Sequence, residues 1–413
     1  MGELSQRTHL YLSERVSTVF FEGIIITGTS CAGKSTIAKA LCKPDQNSGQ
    51  NQFEVVTTVT TRPEQLDDFN YEYINDAEFE QLLREHELLI EASYRANRYG
   101  IKSDNYKTVL HNEKVPILLL SPIASRSLLE SFDGRFMCFF IDAPDDDLLE
   151  RLQKRDGCLL STDEKRNIKK QHELDRKDAY KSNYVLINNI IDTSVSLVSK
   201  LWEQRNRGGG LSYDIIKSMI ECGMLLDRAD ISGIKGASYD LLLGDEYYYA
   251  GKIKKLSDAD PFLTIEPYDY AIVSCKERAC LPRDVIAKFG LTVGLFCQGI
   301  ILSNGPQVDP GFRGTLFCLL FNTSNRAVHL KRGKHYTTIE FNKLIEPAHP
   351  YEGKYQGKEN IIDYIPANAL QGAINELKKE IEKLKNESRF MQNIYLGVAA
   401  LMFALISILM VLR

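Results

Sequence analysis

The stretch "GTSCAGKST", residues 28–36, decides how this chain is read. It follows an apolar run from Gly23 to Ile26 and precedes "IAKALCK". The spacing is Gly28, four residues, Gly33, Lys34, Ser35. Glycines let successive backbone N–H groups curl around a phosphate at a helix N-terminus, where the helix dipole adds attraction. In such a loop the lysine reaches the β and γ phosphates of ATP and the serine holds Mg2+. Gly28, Gly33, Lys34, Ser35 and Thr36 are therefore the expected nucleotide-binding residues, with Ser35 as the metal ligand. The motif requires a strand before the loop and a helix after it, and the flanking residues supply both patterns.

Around this loop lies a chain of 413 residues, enough for two or three domains with cores of their own. The net charge of −4 provides no global basic field, so nucleic acid is not an expected partner. The nine cysteines are scattered without a CxxC pair, as free thiols in a reducing compartment would be. "MGELSQRTHL" at the start has no apolar core of a secretory signal, and Gln6 occupies the place where myristoylation wants Ser or Thr. At the other end, Ile394 to Leu412 is an uncharged run of 19 residues. A helix of that length spans roughly 28 Å, close to a bilayer's hydrocarbon core. The expectation is a single-pass membrane anchor. Lys383, Lys385 and Arg389 precede it and Arg413 alone follows, which would keep the bulk of the chain in the cytosol.

Residues 20–205 alternate strand-like runs ("GIIIT", "PILLL", "RFMCFFIDAP") with helical stretches, the pattern of an α/β domain with a parallel sheet. "RNRGGG" breaks it, and residues 206–210 read as a flexible linker. Residues 211–365 begin with one helix, then present short strands punctuated by Gly, Pro and Asn, as in an all-β barrel or jelly roll. From 368 to 391, Leu370, Ile374, Leu377, Ile381, Leu384, Ser388 and Met391 recur at alternating spacings of four and three. This predicts a short coiled coil, with a single surface helix as the alternative.

"TTVTTRPEQLDDFNYEYINDAEFEQLLREHELLIEASYRANRYG" and "IDAPDDDLLERLQKRDG" give residues 20–205 a resemblance to the guanylate kinase family. The resemblance implies that Thr58, Arg62, Tyr71, Glu91 and Tyr99 grip an acceptor monophosphate, and that Arg151 and Arg155 lie in a lid over ATP. Arg and Tyr hydroxyls suit a phosphate and a carboxylate suits base-edge donors, while plain packing is the alternative for Tyr71, Glu91 and Tyr99. The chain departs from the family at three places. Gln65 stands where a second phosphate-binding arginine is usual, and Leu119 and Ser121 stand where aspartates are usual. Guanine as the acceptor base is thereby put in question, and "SPIASR" also resembles the branch that phosphorylates ribose bisphosphate.

"LSYDIIKSMIECGMLL", "ASYDLLLGDEYYY", "LPRDVIAKFG", "VDPGFRGTLFCLLFN" and "YEGKYQGK" resemble dCTP deaminase, a relative of trimeric dUTPase. By that resemblance Asp240 belongs to the first nucleotide motif and Asp309 to the pyrimidine and deoxyribose pocket beside Phe312. Lys354 and Tyr355 belong to a segment that closes over a triphosphate. A hairpin turn is the alternative for Asp309-Pro-Gly. The family's water-activating glutamate is replaced by Leu319, which neither accepts nor relays a proton. Its serine pair and phosphate-binding arginine are missing from "KFGLTVGLFCQG", and Lys358 stands for a glutamine. The resemblances therefore imply a nucleotide-binding kinase-like domain beside a catalytically degenerate deaminase-like one, assembled as a homotrimer, whereas Ile374 and Ile381 with Leu377 and Leu384 favour a two-stranded coil. A deoxynucleotide sensor without turnover and an active deaminase are the alternatives.

Overall fold

The computed structural model describes residues 21–44, 51–64, 69–94, 96–131, 135–177, 179–303, 307–365 and 373–411, with side chains of the last helix described from 380 to 404. Gln65 lies outside these residues.

The isoleucine run of the opening strand, Gly23–Gly28, is buried on both faces, as parallel strands covered by helices are. It sits at the centre of a five-stranded parallel sheet. On one side lie Val115–Leu119 and then Phe53–Val55; on the other lie Phe136–Asp142 and then Tyr184–Ile187. The helix Lys34–Leu41 leaves the loop directly, burying Ile37, Ala38 and Leu41 against the sheet. A separate four-stranded sheet, with Thr58–Thr60, Tyr71–Tyr73, Leu88–Tyr94 and Asn97–Lys102, forms the opposite wall of a cleft.

Two further helices stand over the loop. Asp145–Asp156 carries three aspartates in its first turn and ends on Gly157 in the left-handed conformation, so both ends are electrostatically and sterically terminated. Thr162–Arg176 opens with a reciprocal Ser161/Glu164 capping box.

The second unit is β-rich. Ser238–Tyr249, Tyr270–Cys280, Arg313–Asn322 and His335–Lys343 are the long members of a nine-stranded sheet, with Phe262–Ile265 and Val328–Lys331 pairing separately. Bulges in Ser238–Tyr249 and in Tyr270–Cys280 let these long strands bend.

The junction differs from the expected flexible tether. Gly209–Gly210 pairs with Lys343 and Asn342 as a short strand of the second sheet. One continuous apolar core runs from Ile24 and Phe139 through Tyr184 and Trp202 to Ile216, Met224 and Phe341. The backbone N–H of Ile187 bonds the Cys222 carbonyl at 2.8 Å, and Gly223 (φ +75°) lies so close to Ile187 that a Cβ would come within 2.6 Å of its side chain. Burial of shared apolar surface, rather than the linker sequence, sets the relation of the two units.

The chain then enters the helix Ala373–Val411. Ile381 and Leu384 are exposed along it in the single chain, while the heptad positions Leu370, Ile374 and Leu377 lie outside the described side chains. Among the described residues no helix is long and apolar enough to cross a membrane, so the structure does not support the expected anchor. The segment Ile394 to Leu412 runs past Ala404, beyond which side chains are not described.

Candidate functional site

The loop after Gly28 turns because two positions exclude side chains. A Cβ on Gly28 (φ +134°) would sit 1.9 Å from the Ile141 carbonyl oxygen. One on Gly33 (φ +96°) would sit 2.4 Å from Asn188 Nδ2. That amide donates to the Ala32 carbonyl at 2.8 Å and braces the loop from the edge strand. Lys34 Nζ folds back to donate to the carbonyls of Gly28 (3.0 Å) and Thr29 (2.6 Å), holding its charge at the mouth of the loop. Ser35 faces the same cleft, and Thr36 is exposed on the following helix.

The cleft, about 130 Å³, is lined by Gly28, Ser30, Lys34 and Ser35 on one side and by Thr58, Tyr71, Glu91 and Tyr99 on the other. The structure thus brings Gly28, Lys34 and Ser35 of the expected phosphate loop and four of the five expected acceptor residues to one cavity, while Gly33 and Thr36 are not part of its lining. The fifth, Arg62, stands just outside: its guanidinium stacks 4.6 Å from the Tyr71 ring centroid and 5.9 Å from that of Tyr73. Leu119 and Ser121 also line the cleft, and the Ser121 hydroxyl accepts from the Ala124 N–H at 3.3 Å, so it works as a helix cap.

Arg151 and Arg155 occupy the overlying helix without lining the cavity. Arg151 donates to the Asn188 carbonyl at 3.0 Å, and Arg155 pairs with Asp156 at 2.7 Å. Several contributors escaped the sequence reading. Tyr94 lines the cleft, and its hydroxyl donates to buried Asp175 of the lid helix at 3.1 Å. Asp142 accepts from Thr29 Oγ1 at 2.8 Å and from Arg176 Nε at 2.7 Å, tying the lid to the loop. Asn188 could have been found from its place directly after an apolar strand; the Tyr94–Asp175 pair, 81 residues apart, carries no local signal.

Among the residues lining the cleft Glu91 is the single carboxylate, and it sits on the acceptor wall. This lining would suit a magnesium ion that arrives with nucleotide phosphates and keeps several waters, Ser35 being the hydroxyl that would hold it.

A second cavity, about 340 Å³, lies in the β-rich unit. Asp309 and Phe312 line it as expected, and Tyr355 reaches it from the segment after the last strand. Lys354 sits over the Tyr355 ring at 4.9 Å, outside the lining. Asp240 stands apart, 3.6 Å from Lys235. Tyr351, Tyr364 and Phe317 complete an aromatic wall that the sequence reading missed, with Tyr355 stacked on Tyr364 at 5.1 Å. The segment is tied down by Gln356, which accepts from the Arg313 N–H and donates to the Gly311 carbonyl, both at 2.9 Å. Leu319 pairs with Ile272 in register and joins an apolar cluster with Tyr248 and Ile361.

A phosphate loop facing an acceptor wall, coupled to a β-rich unit with an aromatic cavity, defines a two-domain nucleotide-handling class of protein. Residues 21–205 match the guanylate kinase family and residues 211–344 match the dCTP deaminase-like family. A dCTP deaminase of Thermococcus kodakarensis is 40% identical over 139 residues, 33% of this chain and 88% of the relative. Another, of Thermococcus gammatolerans, is 37% identical over 34% of this chain and 90% of the relative. A guanylate kinase of Wolbachia pipientis is 29% identical over 45% of this chain and 91% of the relative. Through its second domain the chain belongs to the dCTP deaminase-like family, and its first domain is guanylate kinase-like.

Proposed function

We propose that the first domain transfers the γ-phosphoryl group of MgATP to a nucleotide or sugar-phosphate acceptor, with the second domain binding nucleotide without deaminating it. The observation that carries this reading is the shared cleft: Lys34 and Ser35 face Thr58, Tyr71, Glu91 and Tyr99 across one cavity. Phosphoryl transfer demands mainly positioning and charge neutralisation. Loop N–H groups and Lys34 would hold the ATP phosphates, and Arg62 beside Tyr71 would meet the acceptor phosphate at the rim. The acceptor oxygen would attack the γ-phosphorus as the bond to the ADP oxygen breaks. Arg151 and Arg155 would have to swing inward as the lid closes, since their present partners are Asn188 and Asp156.

Degeneracy of the second domain is supported by Leu319 itself, a side chain that neither accepts nor relays a proton. Its aromatic cavity with Asp309 suits a nucleobase and sugar. This also keeps open a second reading, a deoxynucleotide sensor in which ATP binding is the switch. Trimer formation is supported by Val293 (77% exposed), Phe296 (71%) and Ile301 (55%), apolar side chains that face outward from one region of the β-rich unit. The uncharged sequence Ile394 to Leu412 supports a membrane anchor with residues 1–390 on the cytosolic side.

Incubating residues 1–365 with MgATP and a panel of nucleoside and sugar monophosphates tests the reading, with dCTP assayed in parallel for ammonia. ADP formation that depends on one acceptor, and no ammonia, is the expected result. Tight ATP binding without acceptor-dependent ADP favours the sensor, and ammonia from dCTP overturns the degenerate assignment.

A further inference from the structure

Between the two cavities runs a short, fully built path. The edge strand Tyr184–Ile187 covers roughly 13 Å at about 3.3 Å per residue. At its C-terminal end Asn188 holds the phosphate loop through the Ala32 carbonyl and receives Arg151 of the lid. At its N-terminal end the buried Tyr184, stacked on Phe139 at 5.1 Å, donates its hydroxyl to Asp284 of the β-rich unit. Asp284 and Lys343 are both buried and lie 3.5 Å apart. The second carboxylate oxygen, Asp284 Oδ1, is buried with no hydrogen-bond partner among the described residues.

The residues just before Asp284 complete the path. Arg283 N–H bonds the Asn183 carbonyl at 3.2 Å, and its guanidinium donates to the carbonyls of Lys181 (2.8 Å) and Ala348 (3.0 Å). Pro282 accepts from the Gly311 N–H at 3.0 Å, and Leu281 N–H donates to Phe312. Gly311 and Phe312 belong to the turn that starts at Asp309 and walls the aromatic cavity. One loop therefore bonds the kinase-like edge strand, the cavity turn and the segment leading to Tyr351.

We infer that the strand Tyr184–Ile187 and the loop Leu281–Asp284 couple the two sites, so that occupancy of the phosphate loop is registered at the aromatic cavity and, by linkage, the reverse. Three physical features carry this. The core is continuous across the junction, so close-packed side chains carry a displacement from one unit to the other. The polar contacts are buried, where a broken hydrogen bond is costly and an arrangement switches rather than drifts. The idle oxygen of Asp284 provides an alternative acceptor within the same site, the kind of second arrangement a switch requires. Coupling of this sort is reciprocal because it is a difference of binding free energies.

The inference rests on the proposed ATP site, and hydrogen–deuterium exchange on the full chain separates the two. With MgATP as the probe, the non-proline amides at 281–285 and 309–312 should exchange at least about five-fold more slowly, alongside those of the loop itself. Tyr184→Phe, which keeps the ring stack and removes the hydroxyl, should retain ATP binding and lose the remote protection. If Tyr184→Phe fails to fold, Arg283→Lys serves as the same test. Absence of ATP binding to the unaltered chain would sink the ATP site and this coupling with it. ATP binding with protection confined to the loop, or remote protection that survives the folded variants, would overturn the coupling alone.

Discussion

Lys34 is the residue on which the nucleotide claim stands. Its ammonium is already gathered to the loop by the carbonyls of Gly28 and Thr29, so in the proposed site nucleotide would exchange these contacts for phosphate oxygens. Lys34→Ala should lower ATP affinity by at least ten-fold, equal to about 1.4 kcal/mol, with the thermal unfolding midpoint nearly unchanged. Isothermal titration beside a melting curve checks both, and an unaltered affinity removes the site. Most of this was legible: spacing of Gly, Lys and Ser is dictated by backbone curvature around phosphate. Arg62 was legible as a cation for phosphate, but its stacking on Tyr71 and Tyr73 was not, because that depends on a neighbouring strand's register.

Among the elements, the bulged strand Tyr270–Cys280 stakes stability on a buried acid. Glu277 is fully buried and accepts from Tyr239 Oη (3.1 Å) and the Leu242 N–H (3.0 Å). Burial pushes its carboxyl above the ordinary range, outweighing those hydrogen bonds. The folded chain therefore holds the proton more tightly than the unfolded chain does. Stability falls as pH rises from the unfolded value, about 4.3, through the raised folded one, and the loss is complete above it. Glu277→Gln removes that titration while keeping an acceptor for the Leu242 N–H. Urea midpoints measured from about pH 4 to about pH 7 should show the variant gaining on the unaltered chain as pH rises. Parallel pH profiles would refute the assignment. The strand itself was readable from its apolar run "YAIVSC"; that Glu277 points inward was not, because the bulge before Arg278 resets which residues face the core.

At the scale of the whole molecule, the proposed assembly combines a trimer with a membrane anchor. Deleting Ile394 to Arg413 should move the protein from the membrane fraction to the supernatant, where sedimentation should find three chains per particle. A truncated chain that stays with membranes would refute the anchor, and one that sediments as a monomer would refute the trimer. The outward-facing Phe296 supplies a separate handle on the same question: Phe296→Asp should weaken self-association by placing a charge in the apolar contact, as read by sedimentation of the truncated chain.

By itself the sequence determined the Gly, Lys and Ser spacing of the loop and the order of an α/β unit before a β-rich one. Each is written in a few neighbouring residues whose local chemistry admits few alternatives. Only the tertiary structure decided that the glycine-rich junction pairs into a sheet and that the two units share one core. It alone brought Tyr94 to Asp175 and Tyr184 to Asp284, and it alone folded Tyr351 and Tyr364 back over Phe312 and Phe317. These contacts join segments far apart in the chain, where partners are selected by burying shared apolar surface and by satisfying the polar groups trapped within it.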